Sequence, residues 1–596
     1  MRAASGKDVS EGHQATDSIA RLEAAAIAML VVFFVVRAVH TAWSTSATFD
    51  EPQYIFSGYA YFVEGRFDRN IEHPPLAKEL VALPMLVLRP RFSPDAEAMR
   101  SHHNYPEQIP EPEAPLGHQF LFIHNRERAQ VLILAARLGS IAVMAAGACV
   151  AWRWARLLYG PAGGLMSAVV FTFDPNILAH AANASGDAIF AVIMLGACFA
   201  WWRFLKRRSW LRLVVAGAML GVAVSARVIG VLLLPMWALM LAVQRFAAER
   251  HALGEERARW VHSALQMFFA AVVALAVLYV SYGFESGRPD ERLKWPFVQV
   301  LYGGGNPLGD WARRWVPMPN LVLGVFFQRA HLATGHGAFL MGQVSARGWW
   351  YYFPVAFFLK TPLALQMLLV LAAEGSIVAA LRGRCVRGDL AVLLAAILYG
   401  VFCMASGPNI GYRFLLPALV LATVYGGRVM VDAWRWRWAQ RALVAVLCLW
   451  LGASSLWIHP HYLAYFNEIV GGPKNGHRYL VDSNLDWGQA LPALKEWMDK
   501  HGVEEVNLSY FGTADPAYYG VKYQYLPGFD YLRPERVWDP DVRPPAEYYA
   551  ISATNLWGVY FSRPETYAAF RALEPVGHAG HAILIYRASH VDGGER

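Results

Sequence analysis

Long apolar runs recur along this 596-residue chain, and they restrict its fold more than any other feature. Each run is close to the roughly 20 residues that an α-helix needs to cross the hydrocarbon core of a bilayer. Hydrophobic residues make up 56% of the chain and charged residues only 16%. An average soluble chain is about 25% charged. The sequence therefore predicts a polytopic α-helical membrane protein.

The apolar runs predict eleven transmembrane helices. These are Leu22–Trp43, Val131–Trp152, Gly163–Ala179, Asp187–Leu205, Leu211–Ala226, Val228–Val243, Val261–Phe284, Trp349–Leu381, Leu390–Met404, Phe414–Val431 and Ala442–Ile458. The first run has an alternative interpretation as a cleavable signal peptide, because the small residues at 44–47 resemble a cleavage site. The long polar stretch before it and the interruptions at Arg37 and His40 favour a membrane span.

Basic residues follow the apolar runs in a pattern that predicts the orientation. If the N-terminus is cytoplasmic, every second loop is rich in arginine or lysine, as at 153–156, 206–208 and 382–387. Cytoplasmic loops carry such an excess under the positive-inside rule. This pattern accounts for the net charge of +8 without nucleic acid as a partner. We therefore expect a multi-pass protein of the inner (cytoplasmic) membrane with long outer loops at 47–128 and 285–348.

Hydrophobicity falls after residue 458, where the pattern becomes that of a small soluble α/β domain. A helix is predicted over Leu491–His501, and strands over Val506–Tyr510, Tyr548–Ile551 and Ala582–Tyr586. The predicted organisation is a cytoplasmic tail over 1–21, a transmembrane module over 22–458 and an extracytoplasmic domain over 459–596.

The chain lacks the sequence signatures of several other functional classes. Its five cysteines have neither the spacing of a disulfide framework nor that of a zinc site. It contains no P-loop or Rossmann fingerprint for a nucleotide. No cofactor is implied, and a divalent metal would require Asp50, Glu51 and Asp187 to converge.

Charged residues at the outer ends of the predicted spans indicate a site. An ionised side chain at membrane depth costs about 2.5–3.5 kcal/mol on insertion scales, so such residues are usually paired, hydrated or functional. The residues concerned are Asp50, Glu51, Asp174, Asp187, Arg137, Arg227, Lys360 and Arg413. Lys360 would lie about 15 Å inside its span if that span is one helix, which favours a lateral cavity. A base for a hydroxyl and cations for a phosphate would use this set, and so would a proton-coupled transporter.

Most of these residues also have a simpler structural interpretation. Asp50 and Asp187 are placed where they could cap helices. Arg227 and Arg413 could extend to lipid headgroups, as arginines at span ends often do. The sequence from His73 to Pro75 could be only a rigid turn before the next helix.

A series of short motifs follows one order along the chain. The motifs are the acidic pair Asp50-Glu51, HPPL at His73–Leu76, DP at Asp174-Pro175 leading to Asp187, KTP at Lys360–Pro362 and NIGYRFLLP at Asn409–Pro417. With this series the chain resembles the GT-C glycosyltransferases. It is most similar to the superfamily of protein O-mannosyltransferases and aminoarabinose-lipid A transferases, in a bacterial group like glycosyltransferase family 39. The aminoarabinose branch tends to have a lysine where this chain has His73. The stretches HYLAYFNE and VDSNLDWGQ also resemble a bacterial branch, with no chemical role attached.

The resemblance implies an inverting glycosyltransferase of the cell envelope, one that moves a hexose or pentose from a polyprenyl-phosphate carrier to a hydroxyl on a lipid, glycan or protein. Asp50 would be the general base. Glu51 and Asp187 would orient the acceptor or stabilise positive charge on the sugar ring. The leaving lipid phosphate needs fixed cations. The substrate-binding residues implied are Glu72, His73, Arg227, Lys360, Tyr412 and Arg413.

The alternative function is a polytopic transporter or lipid flippase with an extracytoplasmic sensor domain. Transporters often show internal symmetry and interrupted helices near the membrane midplane. This sequence has no such repeat, and its unusual charges lie towards one face. These features favour the enzyme.

Overall fold

Helices form most of the protein. The computed structural model describes residues 6–92, 113–246, 253–287, 316–431, 433, 437–528 and 546–588. The α-helices are Gly6–Ser44, Glu51–Glu64, Leu76–Ala82, Met85–Leu88, Glu113–His118, Ala129–Phe173, Pro175–Ala181, Gly186–Lys206, Trp210–Ala226, Leu233–Phe246, Leu253–Ser281, Pro319–Thr334, Tyr352–Lys360, Leu363–Leu381, Arg387–Ala405, Leu416–Gly426, Trp438–Trp457, Leu491–His501, Ala553–Leu556 and Ala568–Arg571. Shorter 3-10 or π segments are Gln119–His124, Arg126–Arg128, Val228–Leu232, Tyr412–Leu415, Gly427–Met430, Tyr462–Ala464, Glu468–Val470, Pro473–Arg478, Asp482–Asn484 and Pro564–Tyr567.

Nine helical stretches within the described ranges are long and apolar enough to cross a membrane. One of them, Arg126–Phe173, has 48 residues and contains two helices joined at a kink. The kink lies at Gly160, whose φ of 80° is non-helical, followed by Pro161. Trp210–Ala226 is a shorter apolar helix. The predicted polytopic helical fold is therefore confirmed.

Two of the predicted spans are interrupted. The predicted span Trp349–Leu381 is divided into Tyr352–Lys360 and Leu363–Leu381, because Pro362 cannot continue a helix and the preceding residue is extended. Lys360 is consequently the last residue of a short helix and does not lie deep within a long one. The predicted span Gly163–Ala179 is interrupted at Asp174. The side chain of Asp174 accepts a hydrogen bond from the N–H of Ile177 and caps a new helix.

A five-stranded mixed sheet forms the C-terminal region. The strands in spatial order are Tyr523–Tyr525, Val506–Ser509, Tyr548–Ser552, Ile583–Arg587 and Gly577–Ala579. Val506–Ser509 runs parallel to both of its neighbours, and the other pairs are antiparallel. The helix Leu491–His501 packs Leu494 and Met498 against this sheet. The predicted helix and three strands are confirmed, while the two edge strands are too short to give an alternating pattern.

Two small hairpins lie outside this sheet. Ser286–Gly287 pairs with Val316–Pro317, and Ala338–Leu340 pairs with Gln343–Ser345. Both hairpins belong to the predicted outer loop at 285–348, of which residues 288–315 lie outside the described residues.

The main hydrophobic core is continuous from the membrane helices into the C-terminal region. Phe34 of the first helix, Trp201 of a central helix, and Trp487 and Phe511 from beyond residue 458 all belong to one buried cluster. The fall in hydrophobicity after residue 458 therefore does not coincide with a gap in packing. The domain limits remain a prediction.

Close helix packing depends on glycine at Gly427. A Cβ at this position would lie 2.5 Å from the carbonyl oxygen of Gly163, whereas a Cβ on Gly400 would meet nothing within 4 Å. We expect Gly427→Ala to lower the free energy of unfolding by about 1–3 kcal/mol through overpacking. Gly400→Ala should leave stability unchanged or raise it by up to about 1 kcal/mol, because alanine favours helix. Thermal unfolding in detergent would measure both, and equal midpoints would contradict the tight contact.

Candidate active site

Asp50 stands immediately before the helix Glu51–Glu64, and its side chain forms an ion pair. It is the N-cap residue of that helix, but its side chain makes no capping hydrogen bond. Arg413 instead donates from Nη1 to Oδ2 of Asp50 at 2.7 Å. The Asp50 side chain is 28% exposed and that of Arg413 only 9%. A partly open carboxylate thus lies beside a buried guanidinium.

Asp187 connects this pair to a second arginine. It lies in the first turn of Gly186–Lys206, where Ser185 is the N-cap residue. Its carboxylate forms an ion pair with Arg227 and lies 3.6 Å from Nη1 of Arg413. Arg413 therefore bridges the carboxylates of Asp50 and Asp187. Both arginines are buried partners of carboxylates, so extension to lipid headgroups does not describe them.

His73 lies beside Arg227, the ion-pair partner of Asp187. Its Nε2 is 3.3 Å from Nη2 of Arg227. Burial, together with the positive charge of Arg227, lowers the pKa of His73 to about 3, so the imidazole is neutral. Pro75 precedes the helix Leu76–Ala82, so the HPP motif also forms the predicted turn. Glu72 adds negative charge near His73 and Asp50.

Glu51 follows Asp50 directly but points into the core. Arg137 donates to its two carboxylate oxygens at 2.8 and 2.6 Å. The N–H groups of Thr48 and Ala184 donate to it at 2.7 and 2.6 Å. Both side chains of the Glu51–Arg137 pair are 0% exposed. Burial opposes ionisation, but Arg137 and the two N–H groups together outweigh it and lower the pKa of Glu51. Glu51 therefore fixes the segment that carries Asp50 and has no open oxygen for a substrate.

Lys360 and Tyr412 make their contacts elsewhere. Lys360 is buried and donates from Nζ to the carbonyl oxygen of Leu463 at 2.9 Å, and also to that of Asn484. Burial lowers the pKa of Lys360 to about 7. The hydroxyl of Tyr412 shares a hydrogen bond of 2.8 Å with that of Thr361. Lys360 joins the membrane helices to the segment that follows residue 458, and so does the N–H of Tyr412, which donates to Oδ1 of Asn484 at 2.8 Å.

Sequence reasoning missed two aromatic residues at the cluster. Tyr54 lies one helical turn after Asp50, is buried, and interacts electrostatically with Arg227 and Asp187. Trp487 places its indole ring 4.4 Å from the guanidinium carbon of Arg413. The i, i+4 spacing from Asp50 is a signal that could have identified Tyr54. Trp487 belongs to the VDSNLDWGQ stretch, whose resemblance was noted without a role.

The three predicted acidic residues do not share one site. Asp50 and Asp187 face Arg413, whereas Glu51 faces Arg137. Across the part of the chain that the structure describes, no three His, Cys, Asp or Glu side chains are grouped so as to hold a metal ion.

The fold and this cluster define a polytopic helical membrane protein with an acidic and basic site where several helices begin or end. Residues 129–282 match the family described as dolichyl-phosphate-mannose-protein mannosyltransferase. Arg137, Asp187 and Arg227 lie within that segment. The match confirms, over these residues, the resemblance to the GT-C glycosyltransferases that the motifs predicted.

Solved structures similar to this chain include two kinds of protein. ArnT from Cupriavidus metallidurans in the apo state is 12% identical, with a TM-score of 0.44, over 94% of this chain and 97% of that one. The same protein bound to undecaprenyl phosphate is 13% identical with the same coverage and TM-score. The apo oligosaccharyltransferase of Archaeoglobus fulgidus is 14% identical, with a TM-score of 0.41, over 73% of this chain and 54% of that one. These TM-scores are low, so the fold above rests on this chain's own elements. No curated protein sequence matched the chain.

The buried Glu51–Arg137 pair should be essential for stability. We expect Glu51→Gln to lower the free energy of unfolding by about 3–5 kcal/mol, because it leaves a buried guanidinium without its counter-charge. The exposed pair Arg587–Glu547 provides the control: Glu547→Gln should leave the unfolding midpoint where it is in the wild type. Because the folded pKa of Glu51 is lowered, its contribution is present above the ordinary value of 4.5 and is lost as the pH falls. Denaturant titration of purified protein would contradict this expectation if both variants matched the wild type.

Proposed function

We propose that this chain is an inverting glycosyltransferase that moves a sugar from a polyprenyl-phosphate carrier to an acceptor hydroxyl. The observation that carries this proposal is the row of alternating charges Asp50, Arg413, Asp187 and Arg227. It combines a partly exposed carboxylate with two buried guanidinium groups. The family match over residues 129–282, which include Asp187 and Arg227, supports the same class of reaction.

Asp50 is the general base of the proposed reaction. Its carboxylate is the most open group in the row, so an acceptor hydroxyl can approach it. Burial raises the pKa of Asp50 above the ordinary value, and Arg413 opposes that rise. A raised pKa makes the carboxylate a stronger base, while the arginine keeps a proton acceptor available.

Arg227 and Arg413 provide the positive charge that a leaving phosphate requires. Each guanidinium is held by a carboxylate, yet within the described residues its buried Nε has no hydrogen-bond partner. A buried donor without a partner costs free energy, and an anionic ligand would satisfy it. The neutral imidazole of His73 beside Arg227 adds a further polar contact at this end of the row.

The reaction proceeds with inversion in a single displacement. The acceptor oxygen attacks the anomeric carbon as its proton passes to the carboxylate of Asp50. The bond between the anomeric carbon and the phosphate oxygen breaks, and the electron pair leaves with the lipid phosphate. Positive charge on the sugar ring is then opposed by Asp187, and negative charge on the phosphate by Arg227 and Arg413.

We assign the site to the extracytoplasmic face of the inner membrane, on the basis of the alternating basic loops. The donor sugar is a hexose or pentose, and the acceptor hydroxyl belongs to a lipid, a glycan or a protein. A transporter would hold its ionisable residues near the bilayer midplane. Here Asp50 and His73 lie outside the apolar stretches, and Asp187 and Arg227 lie at helix ends, which supports the enzyme.

Asp50→Asn should abolish transfer without affecting folding. Asparagine has nearly the same shape but cannot accept the acceptor proton, so we expect kcat to fall by about 10²–10⁴-fold. Turnover of lipid-linked sugar by purified protein in nanodiscs measures the effect. Asp499→Asn, at an exposed position of the C-terminal helix, is the matched control and should retain full activity. An Asp50→Asn protein with wild-type turnover would eliminate Asp50 as the base.

Arg413→Ala should weaken use of the donor more than use of the acceptor. Charge-assisted hydrogen bonds contribute about 1.5–3 kcal/mol, so the KM for the lipid-linked sugar should rise by about 10-fold or more. Arg428, whose side chain is as buried as that of Arg413 and pairs with Asp389 elsewhere, provides the control. Arg428→Ala should reduce the yield of folded protein without a selective effect on the donor. A larger rise in the KM for the acceptor would remove Arg413 from the phosphate site.

A further inference from the structure

The stretch VDSNLDWGQ, residues 481–489, packs against both partners of the Asp50–Arg413 ion pair. It is part of the C-terminal region, yet it is almost entirely buried, and Asn484 and Leu485 have no exposed surface. The C-terminal end of this segment contacts the residues just before Asp50, and its N-terminal part contacts the residues just before Arg413. It therefore lies where it can set the distance between them.

Near Asp50, the segment makes its contacts through its main-chain carbonyl oxygens. The N–H of Phe49 donates to the carbonyl oxygen of Trp487 at 2.8 Å, and the N–H of Ser46 donates to that of Gln489 at 3.1 Å. The hydroxyl of Ser46 also donates to the carbonyl oxygen of Gly488 at 2.7 Å. The residue immediately before Asp50 is thus fixed to the C-terminal region.

Near Arg413, the segment makes its contacts through its own side chains. Oδ1 of Asn484 accepts a hydrogen bond from the N–H of Tyr412 at 2.8 Å, and the hydroxyl of Ser483 donates to the carbonyl oxygen of Ile410 at 2.8 Å. The indole of Trp487 covers the guanidinium of Arg413 at 4.4 Å. A cation over an aromatic face is attracted by the ring quadrupole, and more strongly where water is excluded.

We propose that Trp487 is a positioning residue, which holds the guanidinium of Arg413 against the carboxylate of Asp50 so that the C-terminal region sets the geometry of the base. The inference rests on the proposed function, because it assigns Asp50 that role. Trp487 contributes to both sides, with its carbonyl oxygen bound to Phe49 and its indole on Arg413. Without the indole, the guanidinium has space to withdraw from Asp50.

A positioning role predicts a change in the pH profile as well as in rate. Arg413 opposes the rise in the pKa of Asp50 that burial causes. If Arg413 withdraws, that pKa rises further, and the base becomes protonated at higher pH. The acid limb of the pH–rate profile then moves upward. A residue that only supports the fold would lower the rate equally at every pH.

The test compares the full-length wild-type chain with Trp487→Leu and Trp487→Phe in nanodiscs. The donors are a panel of synthetic undecaprenyl-phosphate hexoses, and the acceptors are alkyl glycosides and serine-containing peptides. We expect Trp487→Leu to lower kcat by about 10-fold and to raise the acid limb by about 0.5–1 pH unit. Trp487→Phe keeps an aromatic face and should therefore recover most of the rate. The acid limb of its pH–rate profile should lie between those of the wild type and Trp487→Leu.

A second tryptophan–arginine contact provides the matched control. The ring of Trp557 lies 5.1 Å from the guanidinium carbon of Arg571, within the C-terminal region and away from Asp50. Trp557→Leu should lower stability and leave the acid limb of the pH–rate profile at its wild-type position. If Trp487→Leu behaves in the same way, Trp487 is only structural and the inference is wrong.

Infrared difference titration of the Asp50 carboxyl, identified by subtraction of Asp50→Asn, separates this inference from the proposed function. It reports whether the carboxyl protonates at higher pH in Trp487→Leu, with or without turnover. An upward shift supports the positioning role, and an unchanged titration overturns it. If Trp487→Leu does not fold, the same measurement on Trp487→Phe decides, because its weaker aromatic face should still give a smaller upward shift. A wild-type chain that uses no donor in the panel would count against the proposed function alone.

Discussion

The buried guanidinium of Arg137 is the interaction on which the site depends. It donates to both oxygens of Glu51, to the carbonyl oxygens of Thr45 and Ser46 at 3.0 and 2.7 Å, and to that of Ala42. A charge that is wholly removed from water is tolerated only when its donors are satisfied in this way. The end of the first long helix and the start of the helix after it are thereby fixed to one point. The direction of Asp50 follows from that constraint.

Two neighbouring carboxylates consequently have opposite properties. Glu51 is enclosed by Arg137 and two N–H groups, which lower its pKa, whereas the pKa of Asp50 is raised by burial against a single arginine. Side chains of the same chemistry acquire distinct roles when their surroundings move their pKa values apart. Glu51 is a fully buried structural anchor, whereas the side chain of Asp50 keeps 28% of its surface exposed.

The sequence predicted the membrane helices, most of the C-terminal sheet and the residues of the charged row, because each leaves a local pattern or an unusual charge in an apolar context. It could not predict which of Asp50 and Glu51 faces inward, since the choice depends on Arg137, many residues away. It also placed Lys360 deep in a span, whereas Pro362 ends that helix and Lys360 binds carbonyl oxygens of the C-terminal region. The contribution of Trp487 depends on packing between distant segments, for which hydrophobic periodicity carries no signal.

The continuity of the core beyond residue 458 has a consequence for the synthesis of the protein. Asp50 and Arg413 are 363 positions apart, and the segment at 481–489 comes later still. During translation, the first helices enter the membrane long before the arginine that pairs with Asp50 has been made. A nascent chain therefore carries an unpaired carboxylate through most of its assembly. The contacts of the Asp50–Arg413 pair are completed only when the C-terminal region has folded back onto the helices.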